Sequence, residues 1–238
     1  MPAPDRPIPI DLALVLAVDV SGSMSEQRLR LQLQGYINAF RSAELAHAVG
    51  QGARGLIAAT LVEWSDNGHQ DQTVGWTLIG DRADGRRFAD AIASAPLSGP
   101  GWTSLSGAIR FSAALFAHSG FRATRRVIDI SGDGINNDGP PANVLRDRAV
   151  ATGITINGLP IVELDPGLAA YYRTHVIGGP DAFVEVATDL GSFAGAVLRK
   201  LIVEVAGHIV RPRFGSHRAM ERGYARPGGA SPWTPAKG

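Results

Sequence analysis

The sequence contains no cysteine, and only two of its 238 residues are lysines, Lys200 and Lys237. The absence of cysteine excludes disulfide bonds, thiolate zinc sites, iron–sulfur clusters and cysteine nucleophiles, and it leaves the redox compartment open. The shortage of lysine removes a cation that phosphoryl-transfer enzymes commonly place on the transferred group. Any chemistry before Lys200 therefore depends on other side chains.

The sequence also has no hydrophobic run long enough to cross a membrane near its start. The longest early run, 12–18, lies between Asp11 and Asp19, whereas a spanning helix needs about 20 apolar residues. Residues 1–10 hold four prolines together with Asp5 and Arg6, which is a poor export leader. We expect a soluble chain as written, and a periplasmic or secreted location is open only if a leader has been removed.

Composition predicts one domain with a different segment at each end. Hydrophobic residues make up 45% of the chain, which is enough for one core, and the formal net charge is +1, which argues against binding nucleic acid or membranes by charge alone. Residues 1–10 form a proline-rich lead-in and residues 11–210 the domain. Residues 211–238 hold six basic residues against one acidic, with five glycines and four prolines, and this composition predicts a disordered tail.

Apolar runs alternate with amphipathic stretches through the domain. We predict strands over 12–19, 55–64, 74–79, 126–131, 155–161 and 183–186, and helices over 24–47, 82–95, 103–118, 142–151, 168–174 and 189–205. This alternation is typical of an α/β fold with an open, mostly parallel central sheet and helices on both faces. Because ligands bind at the carboxyl ends of such strands, the polar residues after each strand are the candidate site.

Five oxygen-bearing side chains stand at this predicted edge. Asp19, Ser21 and Ser23 follow the first strand at alternate positions, while Thr103 precedes a helix and Asp133 follows the strand over 126–131. Two carboxylates and three hydroxyls, without His or Cys, suit Mg²⁺ or Mn²⁺. An ion held in this way is weakly neutralised and attracts another anionic oxygen. The set therefore predicts recognition of an exposed Asp or Glu on a partner protein.

Each of these side chains also has a structural alternative. Ser21 and Ser23 could cap the helix that begins near residue 24, and Thr103 could cap the helix that follows it. Asp133 could shape a turn with Gly134.

Other polar residues near the strands are ambiguous. Glu63 ends the second strand, where it is either a second acid behind the site or a solvated strand end. Asn136 and Asp138 either orient water near an ion or shape their own turn. Asp129, inside an apolar strand, could pair with an arginine across the sheet.

The pattern resembles the metal-ion-dependent adhesion site of von Willebrand factor type A (VWA) domains. That family has Asp-x-Ser-x-Ser after its first strand, a Thr at the start of a later helix and an Asp after its fourth strand, and these match Asp19, Ser21, Ser23, Thr103 and Asp133. The segments GWTSLSGAIRFSAALF and VIDISGDGINND are also similar to the family, and the resemblance covers about residues 11–206.

The late segment YYRTHVIGGPDAFVEVA, with the helix after it, resembles a bacterial VWA-like family of unknown function. The VWA resemblance implies a non-catalytic, Mg²⁺-dependent protein-binding module. Trp102, beside Thr103, is then either an apolar contact at the rim of the site or a side chain packed under the loop.

The same stretches resemble haloacid-dehalogenase-like phosphohydrolases as an alternative. The segment 19–23 is similar to their nucleophile loop, and the segment 132–138, GDGINND, to their magnesium motif. Asp19 would then be a covalent nucleophile and Asp133 a Mg²⁺ ligand. The lack of a lysine before Lys200, and a serine rather than an acid at position 21, count against this alternative.

Overall fold

The computed structural model, which describes residues 6–96 and 101–207, is built around a five-stranded sheet. The strand order is β3-β2-β1-β4-β5. The strands are β1 (Ile8–Asp19), β2 (Ile57–Trp64), β3 (Gln70–Ile79), β4 (Phe121–Gly132) and β5 (Thr155–Pro160). Four of these strands are parallel, and β3, at one edge, runs antiparallel to β2. The predicted α/β fold with a mostly parallel sheet is confirmed.

Helices cover both faces of the sheet. Within the described ranges they are α1 (Glu26–Arg41), α2 (Ala43–Gly50), α3 (Arg82–Ser94), α4 (Leu105–Leu115), α5 (Ala142–Ala151), α6 (Leu168–Tyr171) and α7 (Leu190–Ala206). A 3₁₀ turn (Phe116–His118) follows α4, and a π-helical turn (Tyr172–Val176) follows α6. None of the helices in this part of the chain is both long and apolar enough to span a bilayer.

The side chains of β1 alternate between two hydrophobic cores. Leu14 and Leu16 enter the core shared with α1, α3 and α7, whereas Val15 and Ala17 enter the core shared with α4 and α5. A strand buried on both faces needs a continuous apolar run, which is what the sequence of β1 provides. The central strand therefore ends in a position enclosed from both sides.

Several element ends differ from the sequence-based expectations. β1 begins at Ile8, so residues 8–10 of the predicted lead-in belong to the sheet. The helix predicted over 24–47 is divided at Ser42, whose N–H closes α1 and whose Oγ accepts a hydrogen bond from Leu45 N (3.1 Å) at the start of α2. The strand predicted over 183–186 is reduced to isolated bridges at Val184 and Ala187. The predicted tail, 211–238, lies outside the described residues, so the domain boundaries stay a prediction.

A buried ionic cluster fastens α7 to the sheet. Lys200 Nζ lies 2.6 Å from Asp129 Oδ1 on β4 and 2.5 Å from Glu204 Oε1 on its own helix. Asn157 on β5 donates to the same oxygen of Glu204 (2.8 Å). Burial, together with the nearby charge of Glu204, raises the pKa of Asp129 to about 7. The expectation of an arginine partner for Asp129 is wrong, because the lysine of α7 reaches it.

Replacement of Lys200 by Met tests this cluster. The variant should lose about 3–5 kcal/mol of unfolding free energy, because it leaves Asp129 and Glu204 buried without their cation. Chemical denaturation measures the loss. Arg199→Met is the matched control, since Arg199 is mostly exposed and pairs with Glu185 at the surface (2.7 Å), so its loss should cost less than about 1 kcal/mol. Equal losses in the two variants would contradict a special role for Lys200.

Candidate metal centre

The candidate site lies where β1 and β4 end side by side. Val18 is opposite Ser131 in the parallel register, so the chain leaves both strands at the same edge of the sheet. Asp19 has no exposed surface, and the side chain of Asp133 is also fully buried. This carboxyl edge, beside the central strand, is where α/β folds place their ligands.

Hydrogen bonds connect four of the five predicted residues. Asp19 Oδ1 accepts a bond from Ser21 N (2.7 Å), and Ser21 Oγ lies 3.2 Å from Ser23 Oγ. Ser23 Oγ then donates to Asp133 Oδ1 (2.6 Å). The serine loop therefore joins the two carboxylates, although they are far apart in the sequence.

Thr103 reaches the same group from the loop before α4. A Cβ placed on Gly134, the neighbour of Asp133, would lie 3.4 Å from Thr103 Oγ1. Gly22 N donates to Gly101 O (2.8 Å), which ties the serine loop to the segment that carries Thr103. The structure thus brings all five predicted residues to one edge of the sheet.

Helix capping, the structural alternative for these hydroxyls, is carried out by neighbouring serines. Ser25 caps α1 and Ser104 caps α4, each accepting a hydrogen bond at Oγ from the backbone N–H three residues later (3.3 and 3.2 Å). Ser21, Ser23 and Thr103 are therefore not used as caps. Their hydroxyls remain beside the carboxylates.

The two carboxylates are only partly compensated by the rest of the chain. Among the described residues, Oδ2 of Asp19 and Oδ2 of Asp133 accept no hydrogen bond. Burial raises the pKa of Asp19 to about 7, and the charge of Asp133 adds to the rise, while hydrogen bonds from Ser21 oppose it. The guanidinium of Arg28 approaches Asp133, but Nη2 stops 3.5 Å from Oδ2.

This donor set fits a small divalent cation that prefers oxygen. The described ranges hold no group of three or more His, Cys, Asp or Glu residues placed to bind a metal. An ion at this edge therefore needs the hydroxyls as well as the two carboxylates. Hydroxyl and carboxylate oxygens are ligands of Mg²⁺ and Mn²⁺, and the free Oδ2 atoms supply the negative charge that such an ion requires.

The loop after Asp133 positions Thr103. Asn137 Oδ1 accepts a hydrogen bond from Thr103 N (2.9 Å), and both Asn137 N and Asp138 N donate to Thr103 O (2.9 and 3.2 Å). Asn136 Oδ1 binds an N–H of α4 (2.9 Å), and Asp138 Oδ2 binds an N–H of the β2–β3 loop (2.8 Å). The side chains of Asn136 and Asp138 therefore join neighbouring loops, instead of shaping only their own turn.

Sequence reasoning missed several residues that surround the site. Arg28 lies in the first turn of α1 and Glu163 follows β5, and the two form an ion pair of 3.0 Å. Gln32 Nε2 donates to Asp19 O (3.0 Å). Glu163 could have been found, since it follows a parallel strand, whereas Arg28 and Gln32 depend on how α1 packs. Glu63 is buried, with 1% of its surface exposed, so a solvated strand end is wrong for it.

The model of a protein family of unknown function, DUF1194, matches residues 9–209. The chain belongs to the DUF1194 family. A comparison with curated proteins gives no match.

Solved structures with the same fold are VWA domains. The DUF1194 chain is similar to proximal thread matrix protein 1 from the mussel byssus (14% identity, TM-score 0.62, covering 84% of this chain and 49% of that one). It is also similar to a von Willebrand factor type A protein from Catenulispora acidiphila (16% identity, TM-score 0.51, covering 83% of this chain and 43% of that one). A third similar structure is the vWF domain of the pilus tip protein Mfa5 from Porphyromonas gingivalis (12% identity, TM-score 0.53, covering 82% of this chain and 96% of that one).

The DUF1194 chain therefore has the VWA fold, which confirms the resemblance found in its sequence. It spans less than half the length of the first two of these proteins. Another structure of the mussel protein has zinc in its metal-ion-dependent adhesion site (MIDAS) motif. At these identities the likeness shows the fold alone.

Two neighbouring serines should respond differently to replacement by alanine. Ser25→Ala should lower the unfolding free energy by about 1 kcal/mol, because it removes the N-cap of α1. Ser23→Ala should lower the unfolding free energy of the metal-free protein by about 1–3 kcal/mol, because it removes the hydrogen bond to the buried Asp133 Oδ1 (2.6 Å). Thermal unfolding in EDTA measures both variants. A smaller loss for Ser23→Ala than for Ser25→Ala would show that the bond between Ser23 and Asp133 contributes little to stability.

Proposed function

We propose that this DUF1194 protein is a non-catalytic, protein-binding module that depends on a bound Mg²⁺ or Mn²⁺. The pair of buried carboxylates with free Oδ2 atoms, Asp19 and Asp133, carries the proposal. Ser21, Ser23 and Thr103 would complete the ligand set with their hydroxyls. When bound, the ion supplies a positive centre that accepts a carboxylate oxygen from an Asp or Glu of the partner.

The balance of charge supports an external ligand. Two carboxylates formally balance a dication, and hydroxyl ligands add no charge, so an ion here remains a good acceptor for a further anion. The site lies at the end of the strands, among the loops, and Ser23 at its edge is exposed. A partner can therefore approach from the open side of the sheet.

Exposed apolar side chains next to the site support a protein as the partner. Trp102 is 70% exposed, Leu164 65% and Ile135 47%. Trp102 precedes Thr103, Ile135 is two residues after Asp133, and Leu164 follows β5. Large apolar side chains around a polar centre are common in protein-binding surfaces. The exposure of Trp102 also excludes the alternative in which it packs under its loop.

The related structures agree with such a role. The VWA fold occurs in a pilus tip protein and in a thread matrix protein, and the latter has zinc in its MIDAS motif. These proteins support a metal-dependent binding role for the DUF1194 chain. The choice of Mg²⁺ or Mn²⁺ and the partner's carboxylate are our own proposals.

Metal binding is the first test. Asp19→Ala and Asp133→Ala should each weaken binding of Mn²⁺ by more than about 100-fold, the upper end of the effect seen when an outer-shell partner of a metal ligand is lost. Titration calorimetry measures the affinity. Asp90→Ala removes an exposed carboxylate that pairs with Arg41 (2.6 Å), and it should bind Mn²⁺ like the wild type. Wild-type affinity in both site variants would show that the site does not hold the ion.

Partner binding should depend on the ion and on Thr103. EDTA should abolish binding of the partner and added Mg²⁺ should restore it. Thr103→Ala should weaken binding of the partner more than binding of the ion, because Thr103 lies on a loop separate from the one that holds the other hydroxyls. Pull-down measures the partner, and Thr77→Ala, on the edge strand β3, serves as the control. Partner binding that is unchanged both by EDTA and by Thr103→Ala would mean that the partner binds another face of the protein.

The phosphohydrolase alternative requires Asp19 to attack a substrate. Asp19 has no exposed surface, and its Oδ1 is held by Ser21 N (2.7 Å). Lys200 is buried against Asp129 and Glu204, so it does not supply the cation that this chemistry needs. These observations favour the binding module.

We therefore expect no phosphatase activity. Hydrolysis of p-nitrophenyl phosphate in the presence of Mg²⁺ should not exceed that of the Asp19→Asn variant, because the wild-type carboxylate cannot reach the phosphate. Activity that disappears in Asp19→Asn but persists in Ser23→Ala would instead support the phosphohydrolase.

A further inference from the structure

Arg28 places a guanidinium between a buried carboxylate and an exposed one. Its Nη2 lies 3.5 Å from Asp133 Oδ2, and its Nη1 donates to Glu163 Oε2 at 3.0 Å. The side chain of Arg28 is 19% exposed and that of Glu163 is 42% exposed. Arg28 therefore links the candidate metal site to its solvent-facing rim.

The guanidinium of Arg28 has unused donors. Its Nε and Nη2 are buried, and no hydrogen-bond acceptor binds either of them within the described ranges. These two nitrogens form one edge of the guanidinium, with a spacing that matches the two oxygens of a carboxylate. Asp133, at 3.5 Å, is beyond hydrogen-bond distance from this edge. A buried donor without an acceptor is unfavourable, so the edge favours an incoming carboxylate.

We propose that Arg28 is a second cationic contact for the partner's carboxylate, beside the metal ion, and that its charge also limits how tightly the ion binds. This inference rests on the proposed function. Glu163 holds the guanidinium at Nη1 and offsets part of its charge. Asp19 and Asp133 together balance a dication, and the charge of the exposed Glu163 is partly screened by solvent, so the guanidinium of Arg28 leaves a partial positive charge at the rim that favours an anion.

The proposal predicts opposite changes for the ion and for the carboxylate. Arg28→Gln should bind Mn²⁺ about 10-fold more tightly, because a guanidinium close to a dication repels it even in a water-like dielectric. The same variant, loaded with Mn²⁺, should bind acetate about 10-fold more weakly, because it lacks the charge-assisted fork. A merely structural role would weaken both.

Two further variants separate charge from geometry. Arg28→Lys keeps the charge, so its affinity for Mn²⁺ should stay within about twofold of the wild type, but it should bind acetate about 3-fold more weakly because a lysine has no fork. Glu163→Gln should weaken binding of Mn²⁺ and strengthen binding of acetate by about 3-fold each. These changes are smaller than those of Arg28→Gln because Glu163 is partly exposed. Arg199→Gln, which breaks the surface pair with Glu185, should change neither.

The experiment measures Mn²⁺ by titration calorimetry and acetate by water-proton relaxation of the Mn²⁺-loaded protein, with thermal unfolding in EDTA as the check on folding. If Arg28→Gln does not fold, Arg28→Lys tests the inference instead, because it should weaken acetate binding while leaving the affinity for Mn²⁺ nearly unchanged. Wild-type binding of Mn²⁺ with both affinities unchanged in the Arg28 variants, or with both reduced together, overturns this inference and leaves the proposed function intact. Failure of the wild type and every variant to bind Mn²⁺ overturns both.

Discussion

The desolvation of two adjacent carboxylates at the carboxyl edge of the sheet is the constraint on which the site depends. Asp19 ends the central strand, where helices on both faces exclude water, and Asp133 leaves the neighbouring strand beside it. Burial of one carboxylate near another is unfavourable unless both are hydrogen-bonded or a cation neutralises them. The packing is close: a Cβ on Gly132 would lie 2.6 Å from Asp19 Oδ2, so position 132 has no space for a side chain.

Neighbouring polar residues divide two tasks between them. One member of each pair caps the start of a helix, as Ser25 and Ser104 do, while the other, Ser23 or Thr103, stays beside the carboxylates. This division allows tight loops to begin helices and still present hydroxyls to the carboxylates. The loop that holds Asn137 then fixes the backbone of Thr103 from both its N–H and its carbonyl.

The sequence allowed the fold and the five site residues to be predicted because both depend on order along the chain. Alternating apolar runs indicate parallel strands, and parallel strands bring the residues after them to one edge. Details that depend on how far a side chain reaches were not predictable in this way. Lys200 meets Asp129 only because α7 packs across β4, and Arg28 meets Glu163 only because α1 lies beside β5's exit loop. The break at Ser42 is likewise a local choice between capping and continuing a helix.

Two buried acids four residues apart, Asp129 on β4 and Asp133 directly after it, show two solutions to the same electrostatic problem. Asp129 receives an internal cation, since Lys200 is in direct contact with it and with Glu204. Asp133 has only the more distant guanidinium of Arg28, and its Oδ2 is left without a hydrogen bond among the described residues. The first cluster has its own cation at contact distance and joins α7 to the sheet. The second lacks a cation of its own at contact distance, which is the arrangement expected where the missing charge comes from a bound ion.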